Sequence, residues 1–161
     1  MELNRAAEIA TKAVLELKPY CKKIKIAGSI RRQKPLPNDI EIVCIPDTKQ
    51  LFKFCEIVNR WRKIKGEPTG KYTQRLLPSG IKLDLFMATF VNWGAILLIR
   101  TGDWEFSKKF TGTIMPLHGL RMKDGLVWRG SEIVPVSDEA DMFRLVGLEV
   151  INPEQREARI L

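Results

Sequence analysis

Asn38-Asp39-Ile40-Glu41-Ile42-Val43-Cys44-Ile45-Pro46 is the stretch on which the fold turns. Ile40 and Ile42 alternate with Asp39 and Glu41, so a strand here sends its isoleucines to a core and both carboxylates to the opposite face. Pro46 marks its end. Two acids crowded on one face repel each other unless a partner or a cation neutralises them. Taken alone, the Asp-x-Glu spacing also fits the solvent side of an edge strand, and the flanking segments decide between the two.

Upstream, Leu3, Ala6, Ile9, Ala10, Ala13, Val14 and Leu17 recur at helical spacing as far as Pro19 and predict an amphipathic helix. A short alternating strand follows at Lys23 to Ala27, with Ile24 and Ile26 on one face, and Gly28-Ser29 through Pro35, Pro37 and Asn38 reads as a loop. Downstream, Asp47 with Gln50 resembles a capping box opening a helix to Arg60, with Leu51, Phe54, Ile57 and Val58 inward. Strands return over 62–87, broken by Pro68-Thr69-Gly70 and Pro78-Ser79-Gly80. In the last of them Ile81, Leu83, Leu85 and Met87 face one way, so Lys82, Asp84 and Phe86 face the other. That strand is expected to pair with the one over Ile40 to Ile45.

Asn92 reads as the cap of a helix through Leu98, broken by Thr101-Gly102, with a second helix from Asp103 to about Phe110. Asp124-Gly125 is a hairpin turn between Leu120–Lys123 and Leu126–Arg129. Ser137 is expected to cap a last short helix that Gly147 ends. The predicted architecture is α+β: a mixed sheet with flanking helices over 1–91, then a smaller helix and hairpin unit over 92–161.

The 161 residues suffice for a core of their own, at 45% apolar and 29% charged composition. No apolar run approaches the ~20 residues that cross a bilayer. The first helix carries Glu2, Glu8 and Glu16 and does not read as a signal peptide. Cys21, Cys44 and Cys55 form an odd set with only His118 to help them bind zinc, which suggests reduced structural thiols in a cytoplasmic protein. The chain is further expected to be a monomer with no membrane partner. His118 reads as a surface residue, and Trp61, Trp93 and Trp128 as packing residues. A net charge of +8 and a pI near 9.6 favour a polyanionic partner, of which nucleic acid is the obvious one.

Asp39, Glu41 and Asp84, gathered at one sheet face, are hard oxygen ligands suited to magnesium. Two such ions clamp the attacking and leaving oxygens of a phosphoryl transfer. Just upstream, Gly28-Ser29 offers backbone amides and a hydroxyl, and Arg31-Arg32 offers guanidinium groups, which together suit a triphosphate.

The run Gly28-Ser29-Ile30-Arg31-Arg32, then Asn38 to Val43, then Lys82-Leu83-Asp84-Leu85-Phe86, resembles the palm of family X DNA polymerases, the group of polymerase beta. Thr101-Gly102 resembles that family's Thr-Gly motif. Asp138 to Phe143, Leu145 to Leu148 and Pro153 to Glu157 are similar to the C-terminal segment of bacterial members. The resemblance spans about Ile24 to Glu157. It implies that 1–91 form a palm with an N-terminal helix and 92–161 a thumb-like, nucleotide-contacting unit.

The resemblance implies that Asp39, Glu41 and Asp84 bind two Mg2+ ions, with Mn2+ as a substitute, and that Asp84 lies nearest the primer 3′ hydroxyl. Gly28, Ser29 and Arg32 would hold the phosphates, Thr101 and Gly102 would meet the sugar through backbone, and Trp104 would stack on the incoming base. Lys82 would sit by the primer end, and Lys108 and Lys109 would contact DNA. Lys22, Lys23, Lys25 and the Arg60 to Lys65 run are further phosphate contacts in this reading. The expected activity is addition of deoxynucleotides from nucleoside triphosphates to a primer-template or gapped duplex, in short gap filling during repair.

The chain departs from the family at several positions. Glu41 stands where these polymerases usually have Asp, Lys82 replaces a frequent arginine, and Ile99-Arg100 replace an aromatic pair beside the sugar. Ser107 and Thr111 stand where longer polar or basic side chains check base pairing. Only the Met1 to Leu17 helix precedes the palm-like stretch, a layout similar to the reduced family X polymerases of some large DNA viruses. These departures keep a template-independent nucleotidyltransferase on DNA ends, RNA or protein as an alternative. A basic DNA-binding module with a degenerate site is the alternative of another class.

Overall fold

The computed structural model describes residues 1–161, which form two compact units, Met1–Ala88 and Thr89–Leu161. The fold class is the expected α+β with a mixed sheet. No helix is long and apolar enough to cross a membrane.

The first unit runs α1 (Leu3–Leu17), β1 (Cys21–Ile26), α2 (Gly28–Arg31), β2 (Asp39–Pro46), α3 (Leu51–Arg60), β3 (Arg62–Gly66), β4 (Tyr72–Leu76) and β5 (Lys82–Met87). Its five-stranded sheet has the order β1-β2-β5-β4-β3. β2 and β5 are parallel, and every other neighbouring pair is antiparallel. Ala6, Ala10, Ala13 and Leu17 of α1 are buried, with Phe54, Ile57 and Val58 of α3, against Ile40, Ile42, Cys44, Leu83 and Leu85. Three alanines on the buried stripe of α1 let that helix lie close to the strands. Each isoleucine or leucine turned to this core turns its strand neighbours, Asp39, Glu41 and Asp84, to the other face.

Three local expectations for this unit change. The stretch after β1 is a turn of helix, α2, rather than a loop, because Arg31 and Arg32 N–H donate to the Ala27 and Gly28 carbonyls. The Asp47–Gln50 capping box does not form. Asp47 instead accepts from the Lys49 N–H at 3.0 Å and starts a 3-10 turn over Thr48–Gln50, which delays α3 to Leu51. Leu51 is consequently exposed rather than inward, while Phe54, Ile57 and Val58 are buried as expected.

The second unit runs α4 (Trp93–Thr101), α5 (Trp104–Lys109), a π-helical turn over Phe110–Ile114, α6 (Met115–Leu117), β6 (Leu120–Lys123), β7 (Leu126–Arg129), β8 (Glu132–Val134) and α7 (Glu139–Leu145). Its core gathers Leu98, Phe106, Phe110, Met115, Val127, Met142 and Phe143. Asp124 and Gly125 take φ of 54° and 75°, the left-handed pair that a two-residue hairpin turn requires. The hairpin gains a third strand, β8, which three exposed or half-exposed residues did not signal.

Two caps are corrected. Asn92 does not cap α4 through its side chain; its Nδ2 donates to the Gly125 carbonyl at 2.9 Å, and its Oδ1 accepts from the Thr89 N–H. Asp138, not Ser137, caps α7, in a reciprocal box with Asp141, while the Ser137 hydroxyl donates to Asp141. A carboxylate at this position also favours the helix dipole.

Candidate active site

The β2–β5 register places Glu41 beside Asp84 and Asp39 beside Lys82. Register neighbours on adjacent strands point to the same side, so all three acids share the face away from α1 and α3. The crowding has an electrostatic signature. The Asp39 carboxyl is held above its ordinary value, first by burial and then by the negative charge of Asp84, against the opposing pull of Lys82.

Asp84 is only 9% exposed. The Tyr72 hydroxyl donates to its Oδ1 at 2.5 Å and Gln74 Nε2 donates to the same oxygen at 2.8 Å. Both donors come from β4, where Gln74 lies opposite Asp84 in register. The Tyr72 ring is itself fixed, stacked on Phe86 with centroids 5.0 Å apart and with the Lys65 ammonium 5.2 Å from its centroid. Neither Tyr72 nor Gln74 was singled out from sequence. Their alternation on a strand was visible, but the β4–β5 register that aims them at Asp84 was not.

Gly28 begins α2 with φ of 60°, and the Ala27 N–H donates to the Glu41 carbonyl at 2.8 Å, tying the turn to β2. The absent side chain is used. A Cβ on Gly28 would fall 1.8 Å from Glu41 Oε2, so the Glu41 carboxylate lies over the bare glycine. Ser29, Arg31 and Arg32 are half-buried on the same turn, and Ile30 is anchored in the core. With Glu41 drawn over Gly28 and Asp84 held at β4, no three acids, histidines or cysteines stand together as a group that could hold a metal ion. The donor chemistry and the shared face suit a hard cation.

In the second unit Thr101 is fully buried, and a Cβ on Gly102 would meet Phe106 Cδ1 at 2.4 Å. The Thr-Gly pair is thus also what lets the start of α5 fold tightly against the end of α4. Asp103 caps α5, accepting from the Phe106 N–H at 2.7 Å. Trp104 follows at 71% exposure, with the Lys108 ammonium 4.6 Å from its ring centroid. A tryptophan kept for packing would be covered; this one is displayed. Lys109 instead donates to the main-chain oxygens of Ala158 and Leu161, and Lys82 is exposed on the first unit. The Ser107 hydroxyl donates to the Ile99 carbonyl at 2.7 Å and Thr111 to the Ser107 carbonyl at 2.8 Å. His118 is an exposed residue, as expected.

The tail motif has a structural explanation that sequence reading did not reach. Arg156, 1% exposed, forms an ion pair with Glu139, donates from Nε to the Ile151 carbonyl at 2.9 Å, and lies 5.3 Å from the Phe143 ring centroid. It locks the last segment of the unit onto α7.

The family model of the DNA polymerase beta thumb matches residues 96–157, which lie within this second unit. This stretch is therefore similar to the thumb of DNA polymerase beta. No curated protein matches it in sequence.

Proposed function

We propose that the protein is a metal-dependent DNA polymerase of family X type, its first unit a palm and its second a thumb, with DNA and a nucleoside triphosphate as partners. The observation that carries this reading is the register of β2 with β5, which sets Asp39, Glu41 and Asp84 on one sheet face next to the Gly28 turn. The thumb match supports the same assignment from the other end of the chain.

In this reading Asp39, Glu41 and Asp84 hold two magnesium ions, which supply charge stabilisation for the α-phosphate and the pyrophosphate leaving group. Gly28, Ser29 and Arg32 bind the β and γ phosphates through amide, hydroxyl and guanidinium donors. Asp84 orients toward the primer 3′ hydroxyl, and Lys82 sits beside that end. In the second unit Thr101 and Gly102 meet the sugar, the displayed indole of Trp104 stacks on the base, and Lys108 contacts DNA phosphate. The excess of positive charge retains the polyanion. Short gap filling in repair is the matching role.

One observation favours template-independent addition as a second reading. Ser107 and Thr111 spend their hydroxyls on main-chain carbonyls, so neither is poised to test a base pair.

The test is primer extension on a gapped duplex and on a single strand, with each deoxynucleotide and ribonucleotide and with Mg2+ or Mn2+. Template-directed incorporation is expected, abolished in Asp84→Asn with its melting temperature retained. Full turnover in that variant defeats the mechanism, and incorporation that ignores the template base favours the second reading.

A further inference from the structure

Asp84 sits between two strands that treat it differently. β2 offers it like charge, from Asp39 and Glu41, and β4 offers it hydrogen-bond donors, from Tyr72 and Gln74. Both donors converge on Oδ1, at 2.5 and 2.8 Å, and Oδ2 receives neither. A buried carboxylate that needed only to be satisfied would be better served by donors spread over both oxygens. Two donors on one oxygen do something else: they fix the plane of the carboxylate and leave its second oxygen to other work.

We infer that Tyr72 and Gln74 are positioning residues that hold Asp84 so that Oδ2 serves as its ligand oxygen toward a divalent cation, an inference that rests on the proposed reading of Asp84 as a metal ligand. The surroundings fit a device for orientation. The Tyr72 ring is clamped between Phe86 and Lys65, which removes the freedom that would let its hydroxyl wander. Gln74 lies directly across the ladder from Asp84, so a side chain of this length reaches it without leaving the sheet face. Pre-set donors spare the cation the work of ordering the carboxylate, and partners of this kind characteristically contribute ten- to a hundredfold in metal affinity.

The experiment is Mn2+ binding to the full chain, read from loss of the free-ion EPR signal without DNA or nucleotide, in wild type, Asp84→Asn, Tyr72→Phe and Tyr72→Phe/Gln74→Leu. Tyr72→Phe keeps the stacked ring and deletes one donor, and Gln74→Leu keeps bulk and deletes the other. Tyr72→Phe is expected to weaken Mn2+ binding about tenfold, and the pair to approach a hundredfold, with melting temperatures without metal close to wild type. Loss of binding in Asp84→Asn with the double variant within twofold of wild type overturns the positioning role and leaves the metal reading standing. Binding equal to wild type in Asp84→Asn overturns the metal reading and the positioning role with it. If the double variant is unstable, Tyr72→Phe alone decides: undiminished affinity in that folded protein overturns the inference.

Discussion

Each unit buries an arginine, and the two are held in opposite ways. Arg156 of the second unit meets a carboxylate, Glu139, which is itself only 11% exposed, together with the Ile151 carbonyl and the face of Phe143. Arg75 of the first unit, 2% exposed on β4, has neutral acceptors: the Thr73 hydroxyl at 3.0 Å and the Trp61 carbonyl at 3.5 Å. Its Nη2 has no hydrogen-bond partner, and burial draws its pKa down. The same unit crowds Asp39 against Asp84 at the cost of a raised Asp39 pKa. The buried arginine of the second unit is paired with a carboxylate, whereas that of the first unit has no hydrogen-bonded carboxylate. Unfavourable charge retained at a sheet face is characteristic of a site built to meet something else.

The contrast is broken most forcefully at Arg156. Arg156→Ala leaves Glu139 as an uncompensated, largely buried carboxylate, and a loss of about 3–5 kcal/mol is expected from urea denaturation. Arg156→Lys keeps the charge but not the planar fork that reaches both Glu139 and the Ile151 carbonyl, so it restores only part of that loss. A change below ~1 kcal/mol for Arg156→Ala would mean that the pair does not hold the tail, since it would fall far short of the cost of breaking a buried pair.

Arg75 predicts the opposite. Arg75→Met replaces the stem with apolar atoms of similar length and removes a desolvated charge that has no hydrogen-bonded carboxylate. Stability unchanged or raised, within about 1–2 kcal/mol of wild type, is expected from the same denaturation measurement. A large loss there would place Arg75 with Arg156 as a structural charge and erase the distinction between the units.

How much of this could be read from the chain follows the same division. The face shared by Asp39 and Glu41, and the outward side of Asp84, follow from strand alternation, which is local and needs no partner. The Thr-Gly break, the Asp124-Gly125 turn and the alanine-lined stripe of α1 are local too. What stayed hidden depends on pairing across the chain. Tyr72 and Gln74 reach Asp84 only through the β4–β5 register, and Arg156 finds Glu139 only once the tail returns to α7. Arg75 is the sharpest case, because alternation put a charged residue on the core side of β4 and nothing in composition marks a guanidinium as buried. The cap expected at Ser137 was off by a single residue, where neighbouring short polar side chains compete for the same amides, while Asp47 caps a 3-10 turn in place of the expected helix.

The smallest and most diagnostic effect is expected at Asp39. Its native pKa is raised above the ordinary 3.8, so between that value and the native one the folded protein binds the proton more tightly than the unfolded chain. Stability must therefore fall as pH rises through that window, and above it the ionised carboxylate is a steady, modest burden. Asp39→Asn removes the burden. The variant is expected to be slightly more stable than wild type at pH 7 without metal, with the difference shrinking as pH drops below the ordinary carboxylate range. Adding Mg2+ should reverse the order at pH 7, because an ion that binds only the native state stabilises wild type by mass action and finds one ligand fewer in the variant. Thermal melts across pH, with and without Mg2+, measure both halves. A difference independent of pH would locate the burden elsewhere than in the carboxylate's charge, and a Mg2+ shift equal in both proteins would remove Asp39 from the ion's ligands.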